Sequence, residues 1–423
     1  MSNLAILGGG PARTGSLRPY RAIGPPEVQA VTRVAESGQL SGFYGSIGPQ
    51  FLGGPVVRQF ERAWQERFGV RHAVSVNSAT SGLCAAMGAI GVSPGDEVIV
   101  PAYTMSATVV APLIYGGIPV FTDIDRETFT LDLTAVEAAI TPRTRAISVV
   151  NLFGQPARLR TLRELADRRK IMLIEDNAHG PLAAEYGRYA GTIGHIGIFS
   201  LNYHKHIHTG EGGICVTDDD ALAERLQLIR NHAESVVEAS GVTELTNMVG
   251  FNYRLSELSA AVGIEQLREA ETHVARREHV GRRLTEGVAG LDGLHPPCAR
   301  EGCRHVYYVW ALRVDPDRLG ATRAQFSRAL AAEGFPHFCG YVAPLYRLPL
   351  FRKRIAIGRD GFPFNLSEVR YNDGLCPVTE VLHERELIGF EACAYELDDA
   401  DIDQLVAAIR KVHAARDQLR KLN

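Results

Sequence analysis

From about Val56 onward, short β-branched runs alternate with stretches of helical periodicity, and this alternation narrows the possible folds more than any other feature of the chain. The runs are AVSV (73–76), EVIVPA (97–102), IPVFTDID (118–125), RAISVVNLFG (145–154) and IMLIED (171–176). Between them apolar residues recur at helical spacing, as in VVRQFERAWQERF (56–68) and LRTLRELADRR (159–169). Strands that are apolar on both faces and separated by helices predict an α/β architecture, a mainly parallel sheet covered by helices. After Gly197 the pattern shifts to the closely spaced runs IGIFS (196–200) and GICVT (213–217), with helices expected near 219–231 and 254–288. The polar segment from Ala233 to Val249 reads as an excursion that reaches a neighbouring subunit. From about residue 290, a strand over 306–314 and helices over 323–334 and 399–419 predict a smaller α+β unit. The expected division is an N-terminal arm (1–25), a large domain (26–288) and a small C-terminal domain (289–423).

A chain of 423 residues with 45% apolar content can bury cores of that size. The net charge of −3 is spread along the sequence without a Lys/Arg-rich block, which argues against nucleic acid or an anionic membrane as partner. The first fifteen residues, MSNLAILGGGPARTG, have neither a basic flank nor a small-residue cleavage pattern, so no secretory signal is expected. No run approaches the roughly 20 apolar residues of a membrane span. The seven cysteines are scattered and lack paired metal-ligand spacing, which predicts reduced thiols in the cytosol and no metal site. A nicotinamide reading of GGGPARTG fails for want of GxGxxG spacing.

Four local groups carry candidate chemistry. In NSATSG (77–82), a small-residue turn opens a helix-forming stretch; such a turn exposes N–H groups to a phosphate, and Thr80 and Ser81 add hydroxyls, although both are also ordinary helix caps. In IEDNAH (174–179), Asp176 ends an apolar strand on the side where open α/β sheets bind ligands; it could pair with a cationic ring nitrogen, or be a cap or loop acid. FSLNYHKHIHTGEGG (199–213) sets Lys205 among histidines before a glycine cluster. A lysine condenses with an aldehyde once desolvation and neighbouring charges lower its pKa. On a strand, His204, His206 and His208 would instead share a face and could ligate a metal. GFNYRLSELSAA (250–261) places Asn252 before a helix.

In combination and order, these segments resemble the DegT/StrS group of pyridoxal-phosphate (PLP) dependent sugar aminotransferases, a branch of fold type I, from about Ala22 to the C-terminal helix. The most specific part is the lysine motif: Ser200 stands five positions before Lys205, and Gly210-Glu211-Gly212-Gly213 follows at the family's distance. The stretches GQP (154–156), SGFYGSIGPQFLGGP (41–55) and CPVTEVLHERELI (376–388) are further landmarks. The resemblance implies that Lys205 forms the Schiff base and shuttles the proton, and that Asp176 keeps the pyridine nitrogen protonated. It also implies that Thr80, Ser81 and Ser200 bind the cofactor phosphate, that Asn252 reaches it from the partner of a homodimer, and that His179 lies beside the ring hydroxyl. It implies a ping-pong transfer of an amino group from glutamate or glutamine to a nucleotide-linked ketosugar or a ketocyclitol.

The chain departs from the family where an aromatic residue usually stacks on the ring. PAYTM (101–105) puts Met105 there, with Tyr103 as the substitute. A PLP-dependent sugar dehydrase, which carries histidine in place of the lysine, and a non-catalytic sugar- or cofactor-binding sensor are the rival readings.

Overall fold

The computed structural model describes residues 3–420 and 422. Seven strands form the principal sheet: β1 (His72–Val76), β2 (Glu97–Pro101), β3 (Ile118–Thr122), β4 (Thr144–Val150), β5 (Met172–Asp176), β6 (Ile196–Ser200) and β7 (Gly213–Thr217). Their order is β1-β7-β6-β5-β4-β2-β3, and only β7 runs antiparallel to its neighbours. The expected α/β fold is therefore present.

Alternate residues of these strands enter two separate cores. Val74, Val76, Val98, Val100, Ile174 and Ile198 join α3 (Ala79–Ala89) and α5 (Asp220–Arg230) on one face. Ile99, Ile147, Leu173, Phe199 and Ile214 join α2 (Pro55–Phe68), α4 (Leu159–Arg169) and α6 (Glu257–Arg268) on the other, and α1 (Pro25–Ser37) packs outside α6 through Ala30 and Val34. Helix α2 buries Val57, Phe60, Trp64 and Phe68, a stripe at three- and four-residue spacing. Truncation of Trp64, which has no exposed surface, would cost about 3–5 kcal/mol.

A second, antiparallel sheet has the order β8 (Leu294–His295), β9 (Trp310–Val314), β11 (Leu387–Phe390), β10 (Phe338–Cys339). With α7 (Ala270–Val288), α8 (Arg323–Ala332) and α9 (Asp399–Ala414) it encloses a third core. The N-terminal arm docks on this unit: Leu4 is buried there, Glu333 accepts the Ala5 and Ala12 amides, and Arg18–Pro19 pairs with Tyr395–Glu396. Residues 345–376 return to the principal sheet, where Leu345 N–H donates to the Ala102 carbonyl and the Tyr371 hydroxyl to that of Pro119.

Two expected elements differ. The strand expected over 306–314 exists only as β9 from Trp310, because Val306 and Val309 donate their amides to Gly154 and Phe153 rather than to the sheet, and Tyr307 is left-handed at φ 49°. The helix expected over 254–288 breaks at Glu269, whose ψ of 2° ends α6 before α7 begins. The polar segment 233–249 is held to its own chain at several points: Val236 and Met248 are core residues, and Arg225 holds the Glu244 and Thr246 carbonyls.

Candidate active site

The carboxyl ends of the parallel strands gather most of the candidate residues. Asp176 closes β5 and Ser200 closes β6, while Gly213 opens β7 beside both Ser200 and Val76. Ser78 caps α3 at the same edge, its Oγ accepting the Ser81 amide at 3.1 Å. Helix and sheet meet closely there, because a Cβ on Gly213 would lie 2.7 Å from the Ala79 nitrogen. Among the described residues the amides of Ala79 and Thr80 find no acceptor, so two N–H donors stand open at the positive end of an 11-residue helix. The Thr80 side chain is exposed; that of Ser81 is half-buried and donates to Asn77 Oδ1 at 2.6 Å.

Lys205 sits in the loop joining β6 to β7, tied by its own amide to the Asn202 carbonyl and anchored by buried Ile207. The residue is 8% exposed, and its Nζ lies 4.3 Å from the centre of the Tyr308 ring. Burial lowers the lysine pKa to about 8, against the opposing charge of Asp176. The neutral, nucleophilic amine is therefore accessible near physiological pH.

Asp176 is buried, and burial raises its pKa. Its Oδ2 accepts from the Thr108 hydroxyl at 2.6 Å and its Oδ1 from the Ala178 amide at 3.1 Å. Among the described residues it forms no ion pair, although the charge of Lys205 is felt there. A buried carboxylate in that state is suited to a cationic nitrogen. His179 stacks on Tyr308, with ring centres 4.0 Å apart and planes 24° apart. Burial holds its pKa well below the usual value, so the ring is neutral. Its Nδ1 accepts the Phe153 amide at 3.3 Å, which leaves Nε2–H as a donor.

The histidines around Lys205 do not share a face. His204 is exposed, His206 is fully buried and bonded to the Val306 carbonyl, and His208 accepts the Gly210 amide from a turn. The loop is not a strand, which removes the periodicity that a shared face requires. Among the described residues no cluster of three or more His, Cys, Asp or Glu is arranged to hold a metal. Of the two ring-stacking candidates, Tyr103 is fully buried, edge-on to Tyr341 and His383, whereas Met105 is half exposed. Asn252 lies beside the start of its own α3, its carbonyl accepting from Asn77 Nδ2 at 3.3 Å, and its side chain is exposed.

The sequence reading missed Thr108 and Tyr308. Thr108 had no local signal, being one hydroxyl in an apolar helical turn. Tyr308 was hidden within the run read as a strand.

Open helix amides, a buried carboxylate without an ion pair, a neutral histidine donor and a depressed lysine together fit phosphate, ring nitrogen, ring hydroxyl and aldehyde, and define a PLP-dependent aminotransferase of fold type I. The chain belongs to the DegT/DnrJ/EryC1/StrS aminotransferase family, which it matches over residues 26–386. It is 36% identical to the L-glutamine:2-deoxy-scyllo-inosose aminotransferase of Streptoalloteichus tenebrarius over 99% of each chain. Among solved structures, an aminotransferase from Psychrobacter cryohalolentis superposes with a TM-score of 0.83 at 27% identity, covering 95% of this chain and 100% of that one. DesI, solved with its TDP-sugar product, gives a TM-score of 0.80 at 30% identity, covering 99% and 98%.

Proposed function

We propose that this enzyme takes an amino group from L-glutamine or L-glutamate and transfers it to a ketone carbon of a ketocyclitol or a nucleotide-linked ketosugar, with the cyclitol as the first candidate. The end-to-end likeness to an inosose aminotransferase carries that preference. When bound, PLP supplies an electron sink for the bond-making and proton transfers at the amino-bearing carbon.

The protein's own groups divide the remaining work. Lys205 Nζ would hold the aldehyde and, as a free amine, would move the proton at the amino-bearing carbon of the substrate. Asp176 would keep the ring nitrogen protonated, with the Thr108 hydroxyl and Ala178 amide aiming the carboxylate. His179 would donate to the ring hydroxyl, and Met105 would cover the ring. The open amides of α3, with Thr80, Ser81 and Ser200, hold the phosphate.

The functional unit in this reading is a homodimer, with Asn252 reaching the partner's phosphate. Support comes from a surface that leaves its Asn252 side chain, Tyr44, Ile47 and Val249 exposed around the Asn231–Asn252 bridge and the Asn231–Tyr44 hydrogen bond. The seven free cysteines agree with a reducing cytoplasm. Residues 26–288 and 289–423 act as the large and small domains in this scheme, with α7 packed into the small one and 345–376 returning to the large one.

A two-stage titration tests the assignment. L-Glutamine or L-glutamate should bleach the absorbance band of the lysine-bound cofactor. An inosose-type ketone should then restore it, and a nucleotide-linked ketosugar should not. Restoration by the ketosugar alone would reassign the acceptor, and no bleaching by either donor would overturn the reading.

A further inference from the structure

Tyr308 reaches Lys205 from an irregular segment, and two hydrogen bonds and a ring stack hold that segment out of the sheet. His206, directly after the lysine and fully buried, bonds through Nε2 to the Val306 carbonyl at 2.7 Å. Burial lowers its pKa to about 3, so it is neutral, and the bond to a carbonyl fixes the proton on Nε2. The Val306 amide donates to the Gly154 carbonyl at 3.0 Å. Gly154 has φ 93°, and a Cβ there would lie 3.1 Å from the Tyr307 nitrogen, so the two segments touch backbone to backbone. On the far side, the Phe153 amide donates to His179, which stacks on Tyr308. Between these supports Tyr307 takes its left-handed φ of 49°, a strained conformation for an aromatic residue, and the kink turns the ring of Tyr308 under Lys205 Nζ.

The role of this arrangement rests on the reading of Lys205 as the cofactor-bearing lysine. We propose that the face of Tyr308 is the seat on which the Lys205 amine rests whenever it is not covalently held, and that His206 is the positioning residue that fixes this seat through the Val306 carbonyl. A ring face attracts the ammonium form more than the neutral amine, and more strongly when water is excluded. Tyr308 therefore favours a protonated lysine between its proton transfers, opposing the burial that lowers its pKa. The other groups facing Lys205 are Asp176 and Glu391, whose charges favour the ammonium, Cys393, whose thiol burial keeps protonated, and His179, His204 and His206, which are neutral.

The test uses full-length enzyme holding pyridoxamine 5′-phosphate, in which no bond to Lys205 exists. Cyanate carbamoylates an amine only in its neutral form, so the pH dependence of Lys205 carbamoylation, read by peptide mass spectrometry, gives its apparent pKa. Tyr308→Leu should lower that value by roughly half to one and a half units. Tyr308→Phe, which keeps the ring face, should leave it unchanged. His206→Leu should shift it in the direction of Tyr308→Leu, and His206→Gln, which can still donate to the carbonyl, should restore it. Tyr308→Met fills the same space without a ring and replaces the leucine variant if that one does not fold. A ring-free variant titrating like the wild type would overturn the seat, as would a Phe variant that shifts like Leu. A His206→Gln variant that behaves like His206→Leu would overturn the positioning role. None of these outcomes bears on the cofactor assignment, which stands or falls on Lys205→Ala.

Discussion

Glu175 and Asp176 leave the end of β5 toward opposite faces of the sheet; both are buried, and burial raises the pKa of both, yet their surroundings differ in kind. Glu175 accepts the amides of Gly191 at 2.6 Å and Ile193 at 2.7 Å, and that of Gly194 as well. Its oxygens are engaged, and what it achieves is to clamp the 191–194 turn against the strand. Asp176 has one hydroxyl and one amide, with no ion pair among the described residues. The protein completes one carboxylate and leaves its neighbour ready for a charge that must come from elsewhere. A fully bonded acid is architecture, and an under-bonded one at the ligand-binding edge of the same strand is chemistry.

That contrast is sharpest under substitution. Asp176→Asn should leave the melting temperature close to wild type and reduce kcat by roughly 10²- to 10³-fold, the range for loss of one preorganised electrostatic group. Glu175→Gln should do the reverse: two acceptor oxygens become one, an N–H donor is turned toward other N–H donors, and urea unfolding should show a loss of about 1–3 kcal/mol with kcat retained in the folded fraction. A stability loss for Asp176→Asn together with a kcat loss for Glu175→Gln would reverse the comparison. Gly213→Ala, which drives a methyl into the start of α3, should raise the Kd for PLP by roughly tenfold, measured by fluorescence titration of the apoenzyme. The smallest effect is expected for Thr108→Val, where loss of the hydroxyl donor to Asp176 should lower kcat about fivefold.

The residues proposed to carry chemistry by identity, Lys205, Asp176 and His179, fall within one motif order, and the strands around them follow from β-branched runs. Thr108 and Tyr308 were not legible in the chain, for different physical reasons. Thr108 acts by touching Asp176 across 68 positions of sequence, a contact that no local pattern encodes. Tyr308 lies in VYYVWALRV, which has every local preference of a strand; the strand begins only at Trp310 because Gly154, Phe153 and His206 take the backbone groups that a sheet would need. Tertiary hydrogen bonds overrode propensity there, at the point where the chain meets the lysine. The break at Glu269 was equally unreadable, since it lies inside a continuous helical pattern.

The central claim is that the amine at position 205 holds the cofactor aldehyde. The most direct measurement is the absorbance spectrum of Lys205→Ala reconstituted with PLP, beside the wild type and after borohydride reduction and peptide mapping. The account predicts that the wild type shows the lysine-bound band and a pyridoxyl group on the peptide containing Lys205, while the variant shows neither and has no transaminase turnover. A Lys205→Ala enzyme that keeps the band and turns over, with the label on another lysine, would contradict it.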